Sequence, residues 1–210
     1  MSSKETDAMP ELIPTQEAVM KVLTKTGAFR QGHFVYPSGG HTPHYFQLPL
    51  ALRHYQVARE LGVAISRLLR GVQEVSSSLP RVTIITPGSG GIPIAFNAQV
   101  ALGAELIFWA EREEGKRQFR QYAQIGQGAP CVIVDDIERS GSALRETAQL
   151  VREMGGQVVA YATVVRFTSA PAEIDGVPVQ ALVNFETQWY EDGAGCPQCR
   201  QGTPPEPVRY

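Results

Sequence analysis

The run Cys131-Val132-Ile133-Val134-Asp135-Asp136 constrains this chain more than any other stretch. Its apolar part shows no polar alternation, so a strand built from it is buried on both faces. Ser140-Gly141-Ser142 follows as a small-residue turn. Leu144, Ala148, Val151 and Met154 then share one face of a helix over 142–154. Gly155-Gly156 stops that helix, and a β-branched strand occupies 157–165. A doubly buried strand needs helices on both sides of its sheet, and strand–helix–strand crossovers supply them. The same rhythm precedes it: a strand at 82–85, the turn Pro87-Gly88-Ser89-Gly90-Gly91, a helix to about Leu102 and an apolar run over 105–109. The expected class is α/β, a central mostly parallel β-sheet flanked by helices.

Upstream, residues 1–14 read as a flexible N-terminal arm and 15–210 as a single domain. Thr15 is the expected N-cap of a helix carrying Val19, Val22 and Leu23, with Gly27 as its stop. Residues 32–47 read as two short strands around Pro37-Ser38-Gly39-Gly40. Ala58, Leu61, Ile65, Leu68 and Leu69 mark a second helix, and Ser76–Pro80 reads as a loop. With 19 basic and 21 acidic residues the formal charge is −2, which argues against nucleic-acid binding by phosphate neutralisation. No apolar run reaches membrane-spanning length, and no secretory h-region is visible at the start. Three cysteines cannot all pair within one chain, so a reducing cytoplasm is the expected setting.

The chemistry concentrates at strand ends. Asp135 and Asp136 end a strand where ligands of open α/β sheets bind. The turn behind them and the helix start offer backbone N–H groups to an anion. Two carboxylates beside an anion cradle suit a ligand with hydroxyls, or a metal, and a phosphate: a sugar phosphate. The 87–91 turn is a second backbone cradle, and Ala110–Lys116 is too polar for the core.

The run Val132–Leu144 resembles the ribose-phosphate motif of type I phosphoribosyltransferases, and residues 27–207 as a whole look like orotate phosphoribosyltransferases. The resemblance implies that family's fold, with a small hood built from about 27–50 and the late C-terminal strands. It implies that Asp135 and Asp136 hold the ribose of 5-phosphoribosyl 1-diphosphate (PRPP), and that Ser140, Gly141, Ser142 and Ala143 hold its 5′-phosphate. Gly88, Ser89 and Gly90 match the diphosphate loop. Arg112 and Lys116 match the basic residues of a mobile catalytic loop, set to neutralise the leaving diphosphate, with Asp136 counted among the catalytic groups. Tyr45 and Phe46 match an aromatic pair over the base, and Arg166 the arginine that holds the orotate carboxylate. Mg2+ is the implied cofactor, carried mainly by PRPP and near Asp135, and a homodimer with shared active sites is implied.

Several positions depart from the family pattern. Glu138 and Arg139 stand where an apolar residue and Thr are usual, so that Arg139 serves either the phosphate or the base pocket. Glu113 replaces a Lys, Gln118 a His, Pro37 a Lys, Gly40 an Arg and Val165 an acid. The implied activity is transfer of phosphoribose from PRPP to orotate, giving orotidine 5′-monophosphate and diphosphate. A transferase for another base, or a PRPP- or nucleotide-binding regulator without turnover, are the alternatives these departures leave open. Cys196-Pro197-Gln198-Cys199 resembles a tail found in one branch of these enzymes and reads as a packing element, with zinc binding the alternative. With no second Cys pair or paired His downstream it does not complete a tetrahedral zinc site by itself. His33, His41, His44 and His54 show no metal-ligand spacing, and Cys131 reads as a buried small apolar residue.

Overall fold

The computed structural model describes residues 12–208, so most of the expected N-terminal arm lies outside the described residues. The elements in chain order are α1 (Gln16–Lys25), β1 (Phe29–Val35), β2 (His41–Phe46), α2 (Pro49–Leu52), α3 (Tyr55–Arg70), α4 (Gln73–Ser78), β3 (Thr83–Thr86) and a 3-10 turn at Ser89–Gly91. They continue with α5 (Ile92–Leu102), β4 (Leu106–Glu113), β5 (Lys116–Phe119), β6 (Pro130–Glu138) and α6 (Ser142–Glu153). The last are β7 (Gln157–Phe167), β8 (Glu173–Ile174), β9 (Val177–Phe185), α7 (Pro197–Arg200) and β10 (Glu206–Pro207).

The main sheet has the order β5-β4-β3-β6-β7-β9-β8. Its five inner strands run parallel, and β5 and β8 close the edges antiparallel. Apolar clusters cover both faces. One joins α1, α3 and α5 to the sheet through Leu23, Ile65 and Ile94, and the other joins α6 through Leu144, Ala148 and Val151. This is the doubly covered architecture that the unalternated β6 sequence demands, and Val132, Ile133 and Val134 are all 0% exposed. A separate three-stranded sheet, β10-β1-β2, forms the hood, in which the chain's tail adds a strand parallel to β1.

Thr15 caps α1 as expected, its Oγ1 accepting the Ala18 N–H at 3.2 Å. The serine-rich stretch differs from expectation. Ser76–Ser78 are helical, because Val75 is fully buried and the hydroxyls of Ser76 and Ser77 donate back to the carbonyls three residues earlier. The charged stretch from Glu111 forms the end of β4 and the antiparallel hairpin β4–β5, with Glu114 and Gly115 at positive φ in its turn. Among the described residues no helix is long and apolar enough to cross a membrane.

Candidate functional site

The C-terminal ends of β3 and β6 bring the two Gly-rich turns and the acid pair together. Asp135 and Asp136 are each 8% exposed. Asp135 Oδ1 accepts the N–H of Asp136 and Asp136 Oδ1 accepts that of Ile137, both at 2.9 Å. Burial pushes the Asp135 carboxyl well above the usual carboxylate range, and the adjoining Asp136 charge adds to it. Burial raises Asp136 as well. Hydrogen bonds from Asp135 and from backbone N–H groups, and the Arg139 charge, draw it partly back. Among the described residues neither carboxylate forms an ion pair.

The diphosphate-type turn is packed onto these acids. A Cβ added at Gly91 would overlap Thr86 Oγ1 and lie 2.6 Å from Asp135 Oδ1, and one at Gly90 would lie 3.2 Å from Asp136 Oδ2. At Gly91 only glycine lets the backbone come this close, while a side chain at Gly90 would need the Asp136 carboxylate to shift by a few tenths of an ångström. On the other side the turn borders a cavity of about 400 Å³ that Arg112 and Arg117 also line. Both guanidiniums bond Glu146 of α6, Arg112 at 2.7 Å and Arg117 at 3.2 Å. Lys116 sits exposed at the hairpin tip and, among the described residues, forms no ion pair.

In the turn after β6, Glu138 is buried and its Oε1 accepts the N–H groups of Ser140, at 2.7 Å, and Gly141. Its Oε2 is buried without a partner. The carboxylate thus props the turn from beneath and engages two of its N–H groups. What remains for an anion is the Ser140 and Ser142 hydroxyls, 2.9 Å apart, and the N–H groups of the first α6 turn at Ala143 and Leu144.

Ser140 also borders a second cavity of about 420 Å³, between the turn and the hood. Its walls are aromatic at Tyr36, Phe167 and Trp189, polar at Thr42, His44 and Thr187, and cationic at Arg139. The Arg139 guanidinium stands 5.2 Å over the Tyr36 ring. His44 Nδ1 lies 2.8 Å from Thr187 Oγ1, and burial lowers the His44 pKa, favouring the neutral imidazole. A Cβ at Gly40 would overlap the Trp189 indole, so the ring occupies the space a larger residue there would need.

The sequence matches the family described as "Phosphoribosyl transferase domain" over residues 58–197. It is 32% identical over 191 residues to the orotate phosphoribosyltransferase of Desulforamulus reducens, covering 90% of this chain and 94% of that one. It is 30% identical over 190 residues to that of Thermus thermophilus, covering 90% and 99%. The chain belongs to the phosphoribosyltransferase family. Among solved structures, the orotate phosphoribosyltransferase of Aeropyrum pernix superposes with a TM-score of 0.62 at 24% identity, covering 80% of this chain and 93% of that one.

In this phosphoribosyltransferase the expected ribose acids, the 140–143 turn and Gly88–Gly90 converge on one site. The expected base residues do not. Phe46 is 7% exposed in the main core against Phe29, Phe167 and Phe185, and Tyr45 packs on Phe34 and Tyr36; neither lines the 420 Å³ cavity. Strand alternation puts Thr42 and His44 on the cavity face instead, a signal present in the sequence. Arg166 is also outside that cavity. Its Nε and Nη2 bond Asn184 Oδ1 at 3.0 and 2.6 Å, and its Nη1 bonds the Ala170 carbonyl at 3.1 Å. Arg139 is the cation that lines that cavity. Sequence reasoning missed Arg117, whose β5 register beside Arg112 brings it to the 87–89 turn. Its spacing reading also left His33 and His41 apart from Cys196 and Cys199, whereas the fold brings one ligand atom from each of the four within 4.8 Å of the others.

Proposed function

We propose that this phosphoribosyltransferase is an orotate phosphoribosyltransferase, transferring phosphoribose from PRPP to orotate in pyrimidine nucleotide synthesis. The observation that carries the reading is the 420 Å³ cavity. It is walled by the aromatic rings of Tyr36, Phe167 and Trp189, carries the Arg139 guanidinium, and is bordered by Ser140 of the turn that follows the acid pair in sequence. A planar heterocycle bearing a carboxylate matches it: the rings supply stacking and Arg139 a fork for the carboxylate. The relatives named orotate phosphoribosyltransferases, with 94% and 99% of their lengths covered, support the same substrate.

In this reading Asp135 and Asp136 accept the ribose hydroxyls, and Ser140, Ser142 and the α6 N-terminus bind the 5′-phosphate. The bond from C1 to the diphosphate oxygen breaks as the base nitrogen's lone pair forms the new C–N bond, and the proton on that nitrogen passes to the departing diphosphate or to water. The sugar is oxocarbenium-like between, so no covalent nucleophile is needed. Rate comes from holding the base over C1 and from cationic groups facing the departing diphosphate. Arg112 and Arg117 face the Gly88–Ser89 turn, and Lys116 swings from its exposed tip. The acid pair, which forms no ion pair among the described residues, fits a divalent cation, so Asp135 and Asp136 are the residues that would hold Mg2+. When bound, it supplies charge against the diphosphate oxygens. A homodimer belongs to the reading, with a mobile tip completing the neighbouring site. Exposed Phe96 and Val100 on α5, beside Trp109 and Tyr122, form an apolar strip suited to a second copy. A reducing cytoplasm suits its three free thiols.

The test is diphosphate release from PRPP and Mg2+ with orotate, uracil, adenine or hypoxanthine offered singly. Release with orotate alone supports the reading; release with another base, and none with orotate, overturns it.

A further inference from the structure

Four side chains remote in sequence meet where the tail crosses the hood: His33 of β1, His41 of β2, and Cys196 and Cys199 around α7. One ligand atom from each lies within 4.8 Å of all the others. His33 Nε2 is 3.5 Å from Cys196 Sγ and 3.5 Å from Cys199 Sγ, and His41 Nδ1 is 3.5 Å from Cys199 Sγ. A tetrahedral zinc with Zn–N of about 2.0–2.1 Å and Zn–S of about 2.3 Å puts nitrogen and sulfur about 3.5 Å apart. The two nitrogens are 2.8 Å apart and need open only slightly.

The surroundings favour a metal over a simple packing cluster. His33 Nδ1 lies 2.7 Å from the Thr203 carbonyl, which only accepts, so the proton sits on Nδ1 and the Nε2 lone pair points to the centre. Cys196 is fully buried, His33 is 4% and His41 7% exposed. Two thiolates and two neutral imidazoles around a divalent cation sum to zero charge, the balance a buried site requires. Binding releases the two thiol protons to solvent. With four protein ligands no coordination position is left for a substrate, so the role is structural.

We infer that His33, His41, Cys196 and Cys199 form a Cys2His2 zinc site that fastens the C-terminal tail to the hood hairpin. The fastening reaches the base cavity. His41 bridges to Tyr190 by paired backbone hydrogen bonds, and its neighbours Thr42 and Trp189 are cavity walls.

The test uses the reduced full chain and needs no turnover, so it stands or falls apart from the orotate assignment. Titration with Co2+ is expected to give the visible bands of a tetrahedral ion and thiolate-to-cobalt charge transfer, saturating at one ion per chain. Zn2+ should displace it. Cys199→Ser and His33→Ala should each abolish the charge transfer at stoichiometric metal or change the band pattern, whereas Cys131→Ala should leave both unchanged. If a ligand variant fails to fold, the wild-type titration decides. A reduced wild-type chain that shows no tetrahedral cobalt spectrum and retains no zinc after dialysis overturns the inference, as does an intact spectrum in Cys199→Ser.

Discussion

Replacing Arg139 with alanine separates the two arginines that the sequence offers for a substrate carboxylate. The guanidinium lies 5.2 Å over Tyr36 in a cavity walled by Phe167 and Trp189, where a bound carboxylate loses much of its water. Charge-assisted hydrogen bonds of this kind contribute about 1.5–3 kcal/mol. At about 1.4 kcal/mol per factor of ten, the orotate KM should rise roughly tenfold to 150-fold. Arg139→Lys should recover only part of this, because an ammonium cannot grip both oxygens. The Arg139 charge also pulls the Asp136 carboxyl downward, so PRPP affinity should weaken modestly as well. Arg166→Ala is the control. Its guanidinium is engaged by Asn184 and the Ala170 carbonyl, so its loss should lower the melting temperature and leave the orotate KM within about twofold. The assay is the initial rate of orotidine 5′-monophosphate formation against orotate at saturating PRPP. Unchanged orotate KM in Arg139→Ala, with a large rise in Arg166→Ala, refutes the assignment.

The acid pair predicts a stability–binding conflict. Because burial raises both folded-state pKa values, the pair's favourable contribution is full below the unfolded value of about 3.9 and is lost as pH rises through the raised values. Asp135→Asn should therefore raise the melting temperature of the ligand-free protein at pH 7–8 and eliminate PRPP binding. In the wild type, binding of Mg2+ with PRPP should release protons, read as buffer-dependent calorimetric heats. Lys116→Ala should lower kcat on the order of 10²-fold with little change in PRPP affinity, since its charge acts on the departing diphosphate. Mixing it with Asp135→Asn chains should restore activity if sites are shared in a dimer. Gly40→Ala should displace the Trp189 indole and raise the orotate KM more than the PRPP KM; equal effects on both would count against Trp189 as a base-cavity wall.

The parallel sheet was legible because its signals are local. The apolar β6 run, the Asp135-Asp136 end and the amphipathic α6 lie within about two dozen residues, and the two Gly turns sit at their strand ends. The 420 Å³ cavity was legible only in part. Alternation says that Thr42, His44 and Phe46 share a face of β2, but not that the upper part of that face meets the cavity and the lower part the core. That Arg139 and not Arg166 lines the cavity turns on where β7 lies relative to the 139–142 turn, which no local pattern encodes. Glu138 departs from an apolar position, and only the structure reveals its carboxylate bracing the turn through Ser140 and Gly141. The Cys196–His33 contact spans 163 residues, so spacing rules that look for a nearby second ligand pair pass over it. Ser76–Ser78 are helical for a tertiary reason, the burial of Val75.

The most direct measurement is a stoichiometric time course with the purified full chain, PRPP, Mg2+ and orotate in large excess over enzyme. Orotate loss, orotidine 5′-monophosphate and diphosphate are quantified together. A phosphoribosyltransferase whose cavity reads the orotate carboxylate through Arg139 should convert many equivalents per chain, with the three quantities in a one-to-one-to-one ratio. PRPP bound tightly with no product above the enzyme concentration would contradict it and leave a nucleotide-binding regulator in its place.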